Sequence, residues 1–214
     1  MMMPQSALML FPALVALLGG CTITDSFPIP FIPPRPPETH SYLLSAPPRE
    51  SPVETNLIEA SSFYFAKVEL PSYLDDDRLV TRSGANEIDF AGFHRWGEPL
   101  DEGITRVVSN NLAGNLGTLD YSAHPHRKKP DTCLEIALRF HRFEPISPGN
   151  EVFCSGTCRL VHEKKEVLVL ILEERLPFNP AQENSRNPEV AAMSQVLRKV
   201  ADRITKAIVL HLDQ

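Results

Sequence analysis

The chain has 214 residues, a formal net charge of -6 and a hydrophobic fraction of 43%. A length of this order supports one domain with a sizeable core. The mild acidity leaves no electrostatic footprint for nucleic acid, and the ten glycines form no phosphate-cradling loop.

The N-terminus is the most informative segment. An apolar run from Ala7 to Leu18 is too short to span a hydrocarbon core of ~30 Å as a helix, and it reads as a removed signal. It ends in Leu18-Gly19-Gly20-Cys21, which looks like the lipobox of a bacterial lipoprotein signal peptide. Small residues there seat the extended backbone in the peptidase, and Cys21 becomes the lipid-attachment residue at the start of the mature chain. Met1 to Ser6 carries no Lys or Arg, a departure from the usual charged n-region. Thr22 follows Cys21 where inner-membrane lipoproteins commonly carry Asp, which favours the outer membrane. Several acyl chains at ~0.8 kcal/mol per buried methylene give a stable anchor.

Residues 21–40 are dense in proline, including Pro28, Pro30, Pro33, Pro34, Pro36 and Pro37. Such a segment forms neither a helix nor a central strand. It is expected to be a tether reaching up to ~60 Å at ~3.1 Å per residue. The expected division is thus residues 1–20 signal peptide, 21–40 tether and 41–214 domain.

Within the domain, Tyr42-Leu43-Leu44 is a short strand candidate. From Phe63 to Leu70 the residues alternate, with Tyr64, Ala66, Val68 and Leu70 expected on the buried face. Pro71 ends that strand, Asp75-Asp76-Asp77-Arg78 makes a turn, and Leu79 to Arg82 and Glu87 to Trp96 read as strands. A helix comes next. Pro99 fits its first position, Asp101 and Glu102 suit the positive end of its dipole, and Gly117 suits its end. Its buried stripe is Leu100, Ile104, Val107, Val108, Leu112 and Leu116.

Residues 132–143, 151–162 and 166–174 then read as three strands of an antiparallel meander. Val167 to Leu172 is apolar at every position, which predicts a strand buried on both faces beneath covering helices. Pro188 opens a final helix with Val190, Met193, Leu197, Val200, Ile204, Ala207 and Ile208 on one stripe. That stripe reads as core packing, with self-association into a homo-oligomer as the alternative for an exposed helix.

Acylation of Cys21 leaves Cys133, Cys154 and Cys158. Four residues apart in one strand, Cys154 and Cys158 lie ~13 Å apart, beyond the reach of a bridge. Matching apolar faces sets Leu134, Ile136, Leu138 and Phe140 beside Val152, Cys154, Cys158 and Leu160, with Cys133 on the opposite face. No disulfide is expected, and the same spacing argues against a metal held by Cys154, Cys158 and His162. His124 and His126 lie in a basic, proline-flanked loop through Pro130 that reads as solvated. Asp75, Asp76 and Asp77 suit turn capping beside Arg78 better than a hard cation. No catalytic motif appears, and no cofactor is implied.

Leu70-Pro71-Ser72-Tyr73-Leu74-Asp75, Leu79-Val80-Thr81-Arg82, Asn86-Glu87-Ile88 and Arg95-Trp96-Gly97-Glu98-Pro99-Leu100 resemble the ABC-type transport auxiliary lipoprotein family, the PqiC-like proteins. The lipobox at Cys21, Tyr42-Leu43-Leu44 and the closing amphipathic helix extend the resemblance along the chain. It implies an α/β fold with a mixed, largely antiparallel sheet flanked by two main helices, similar to the N-terminal domain of TolB. It also implies a non-catalytic periplasmic accessory of an MCE-type transporter that moves lipids between two membranes. Pro71, Tyr73, Leu74, Arg82, Arg95, Trp96, Pro99 and Leu100 are the motif residues expected to shape the fold or meet a partner. Two alternatives belong to other classes: a lipid-anchored envelope hydrolase using the histidines and thiols, and a lipopolysaccharide-assembly type lipoprotein.

Overall fold

The computed structural model describes residues 37–46, 62–118, 121–125, 127–131, 133–181 and 185–212. Cys21, the expected signal, most of the expected tether, His126 and Thr132 lie outside them. Among the described residues, an eight-stranded mixed sheet is covered by two helices. The elements are β1 (His40–Tyr42), β2 (Phe63–Phe65), β3 (Arg78–Arg82), β4 (Ile88–Trp96), α1 (Leu100–Leu116), β5 (Tyr121–Ala123), β6 (Leu134–Ile146), β7 (Glu151–His162), β8 (Lys165–Pro177) and α2 (Asn187–Leu212).

β6 is the spine. One of its edges pairs antiparallel with β7 along the strand, and β7 pairs antiparallel with β8. Its other edge pairs in parallel with β2 through Leu134 to Ile136 and meets β3 at Arg82 and Ile146. β4 and then β1 continue the sheet beyond β3, and β5 continues it beyond β2. The meander is the expected one, and the β7 bounds coincide with residues 151–162.

Both helices carry the expected apolar stripes. In α1, Leu100, Ile104, Val107, Val108, Leu112 and Leu116 are all buried. Pro99 precedes the helix as its cap, one place earlier than expected, with φ -52° and ψ 134°, the extended geometry of a helix entry. Gly117 ends it in the left-handed region at φ 66°, where a side chain would be strained. In α2, Val190, Met193, Leu197, Val200, Ile204 and Ile208 are buried, so this stripe packs in the core. Asn115 ties the helices together by donating to Asp202 Oδ1 at 2.8 Å and Thr205 Oγ1 at 3.1 Å.

Three expectations are corrected. β2 ends at Phe65, and its buried residues are Phe63 and Phe65 rather than Tyr64 and Ala66. The chain changes phase at Ala66 and Lys67, so that Val68 is buried as expected. The hairpin register also differs beyond Phe140. Ile136 pairs with Leu160 and Leu138 with Cys158, but a bulge between Phe140 and Arg142 sets Phe143, not Arg142, opposite Cys154. Finally, β8 is an edge strand, not a doubly covered one. Ile171 is 75% and Val169 47% exposed, while Leu172 faces the core. An unbroken apolar run does not reveal whether a neighbour covers its second face.

Cys133, Cys154 and Cys158 are buried and free. Burial pushes the Cys158 thiol up to about 12 and raises those of Cys154 and Cys133 as well. They behave as small apolar side chains.

Candidate functional site: a motif groove and a buried carboxylate

The bulge in β6 creates the buried part of the site. One extra residue at His141 turns Phe143 into the core and carries Arg142 and Glu144 to the other face of the sheet. Glu144 is nonetheless completely buried there. Its Oε1 accepts from Arg82 Nε and Arg142 Nε, each at 2.8 Å. Its Oε2 accepts from the Tyr73 hydroxyl at 2.7 Å and the Phe143 amide at 3.0 Å. All four partners are donors, so the carboxylate is fully satisfied in its charged form.

Burial alone would raise the Glu144 pKa, but the bonds from Arg82, Tyr73 and Arg142 outweigh it and hold the carboxyl below the usual glutamate range. The Tyr73 phenol is pushed up to about 12, first by burial and then by Glu144. Arg142 also lies 4.5 Å from the centre of the Phe153 ring, and Arg175 covers Phe153 at 4.1 Å.

This arrangement joins Tyr73 and Arg82, two expected motif residues from separate segments, through a third residue that the sequence did not indicate. Glu144 lies 62 residues from Arg82 and 71 from Tyr73. A glutamate within an alternating strand reads as solvent-facing, so no local signal marks it. The network fastens the 3-10 turn Ser72–Leu74 and β3 to the spine strand.

The turn begins where Pro71 ends the preceding segment, and Leu74 N–H donates to Pro71 O at 2.9 Å. Pro71 itself lines a separate shallow groove with Arg139, Phe140 and His141. Leu74, Trp96, Gly97, Pro99 and Leu100 instead line one groove of about 360 Å³ with Asp75, Asp76, Asp77 and Glu98 on its rim. Leu74 and Leu100 are buried, Trp96 is half-buried and Pro99 is exposed.

The rim is fixed by paired charges. Asp76 accepts twice from Arg78 at 2.8 Å, and Arg78 holds its carboxyl well below the usual range. Asp77 accepts from Arg95 Nη1 at 2.7 and 2.6 Å, and its carbonyl accepts from the Trp96 amide at 2.7 Å. The aspartates are therefore turn and rim residues. Among the described residues, no group of three His, Cys, Asp or Glu side chains is placed to hold a metal ion.

A second groove of about 370 Å³, between α1 and the segment after β5, contains Glu102, Arg106, His124 and Arg127. Glu98 borders both grooves, and no cysteine lines the one that holds His124. Among the described residues no helix is long and apolar enough to cross a membrane.

No curated protein matches the chain in sequence. Solved structures share its fold, two of them with TM-scores above 0.6. An uncharacterised protein superposes with a TM-score of 0.64 at 17% identity, over 80% of this chain and 99% of its own. The protein XCC0632 of Xanthomonas campestris gives a TM-score of 0.62 at 14% identity, over 83% and 98%. The family model for the ABC-type transport auxiliary lipoprotein component matches residues 42–205, from the last residue of β1 through most of α2 and including every motif residue from Pro71 to Leu100, and the chain belongs to that family.

Proposed function

We propose that this protein is an outer-membrane-anchored periplasmic lipoprotein that serves as a non-catalytic docking subunit of an MCE-type ABC lipid transport system and helps maintain the envelope. Membership of the auxiliary family across residues 42–205 carries this reading. The lipobox at Cys21 and the proline-rich segment after it supply the anchor and the reach. Thr22 supports the outer membrane. Within the domain, the groove around Trp96 is the surface offered to the MCE-domain partner, because it gathers motif residues from two segments onto a rim held by ion pairs. Tyr73 and Arg82 lock the turn and β3 to the spine through Glu144.

The hydrolase alternative loses its thiol version on physical grounds. The three described thiols are buried with raised pKa values, the opposite of an activated nucleophile. The test of the docking reading is in-membrane crosslinking of the full chain with a photoreactive residue at Trp96. Recovery of an MCE-domain protein supports it, and recovery of a β-barrel protein instead would transfer the chain to a lipopolysaccharide-assembly role. A Cys21→Ala change should release a folded protein from the membrane.

A further inference from the structure

β8 ends the sheet. Its inner side pairs with β7 throughout, and no described strand lies on its outer side. A free edge of this kind presents unpaired N–H and C=O groups and invites another strand. The invitation is strong here, because the strand has 13 residues and exposes Val169 and Ile171 on its open face. Pro177 stands at its last position, too late to protect the middle.

Among the described residues, the side chain of Arg203 occupies that edge. Arg203, reaching down from α2, donates from Nη2 to Ile171 O at 2.8 Å and from Nη1 to Glu173 O at 3.2 Å. It also meets Glu174 Oε1 at 3.1 Å, which holds the guanidinium in place. Backbone groups alternate in direction along a strand, so Val169, Ile171 and Glu173 all present theirs outward. The two carbonyls that Arg203 takes are therefore acceptors that an incoming strand would use. The planar fork of a guanidinium suits two acceptors on one strand in a way that a lysine does not.

We infer that Arg203 is a gatekeeper that holds the β8 edge shut against pairing with a second copy of this chain. A second copy is the fitting occupant because the strand is complementary to itself. An antiparallel pair centred on Val169 merges the two apolar runs, and it brings the turn bearing Lys164 and Lys165 of one copy alongside Glu173 and Glu174 of the other. Such a pair would join two sheets into one.

The test uses the full chain in membranes with Val169→Cys as a reporter. Paired outward residues at the centre of an antiparallel ladder lie about 5.5 Å apart, within disulfide range. The native described cysteines are buried, and the Arg203→Ala chain without the reporter gives the background. Val169→Cys alone should yield little linked dimer, and Val169→Cys with Arg203→Ala several-fold more. Adding Ile171→Lys should abolish the gain. Arg203→Lys, which keeps the charge near Glu174 but not the fork, should behave like Arg203→Ala and also serves if alanine disturbs α2. Equal dimer yield with and without Arg203 overturns the proposal. So does a gain that survives Ile171→Lys, or a gain accompanied by lost Trp96 fluorescence, since either would report unfolding instead of edge pairing.

Discussion

The meander β6–β7–β8 and the half of the sheet built from β1, β3 and β4 are held together by different means. The meander consists of strands of 13, 12 and 13 residues whose ladders run nearly unbroken. The other half has strands of three, five and nine residues and touches the spine directly at one register pair, Arg82 with Ile146. Its attachment draws on side chains, Tyr73 and Arg82 reaching Glu144 on the spine beside Arg142, while Arg95 on Asp77 braces the half internally. Backbone pairing tolerates most side-chain changes, whereas a network of buried charges does not. The motif residues lie in the side-chain-dependent half, so single substitutions there should be costly.

The largest effect is expected from Glu144→Ala. Breaking a buried ion pair leaves its partners uncompensated and costs about 3–5 kcal/mol, measured by denaturant unfolding. Trp96 fluorescence should report the loss before the meander amides lose hydrogen-exchange protection. Simultaneous loss of both would erase the distinction between the halves. The same carboxylate sets an acid limit. Its folded pKa is depressed, so its stabilisation is complete above the ordinary glutamate value near 4.3 and is lost as pH falls through the folded value. Glu144→Gln should flatten that acid slope in thermal melts across the range.

Gly156→Ala probes the meander where the backbone, not a side chain, is limiting. A Cβ there would collide with Arg139 O, beside the bulge. The strands must part, at a cost of about 3 kcal/mol, and calorimetry should show the loss. A neutral outcome would mean that the ladder adapts more easily than its geometry allows.

Tyr73→Phe removes one donor to a charged acceptor and should cost about 2 kcal/mol. Because the phenol is raised from 10.0 to about 12, the stabilisation of the wild type is complete below about pH 10 and is lost as pH rises through 12. The variant should lack that alkaline transition in a titration tracked by circular dichroism. The smallest effect belongs to Arg175→Ala. Its ion pair with Glu151 is half exposed, and its exposed guanidinium covers the buried Phe153 ring from outside. A loss of about 1 kcal/mol or less is expected from urea midpoints, and a larger one would give the meander the side-chain dependence of the other half.

These differences track what the amino-acid sequence discloses. The two helices were legible because Pro99, Gly117 and the three-four spacing act within a turn or two. The β7 bounds were legible because Gly149 and the Glu163-Lys164 turn punctuate the chain, with positive φ at Asn150, Glu163 and Lys164. Glu144 was not, since its partners approach from remote segments. Nor was the bulge at His141, which reverses the faces of Arg142 and Phe143 without any glycine to announce it. The exposure of Ile171 was equally hidden, because whether an apolar strand is central or terminal depends on the sheet order. Tyr73, Arg82, Trp96 and Leu100 were identified as a set by resemblance, but their division between a buried network and an open groove is a property of the fold.

β1 is three residues long and stands at the sheet margin, directly after the proline-rich segment. It pairs in parallel with His94, Arg95 and Trp96. The Tyr42 hydroxyl accepts from the Arg186 amide at 3.1 Å and meets His94 Nδ1 at 3.0 Å, and His40 stacks on His94. With the chain anchored through Cys21 as proposed, a pull between membrane and partner would enter the domain through these three residues. Tyr42 then acts as a rivet, spreading the load onto β4 and the start of α2. Under force, β1 is the strand that should peel first, and the strength of that rivet sets how much tension the remaining fold ever feels.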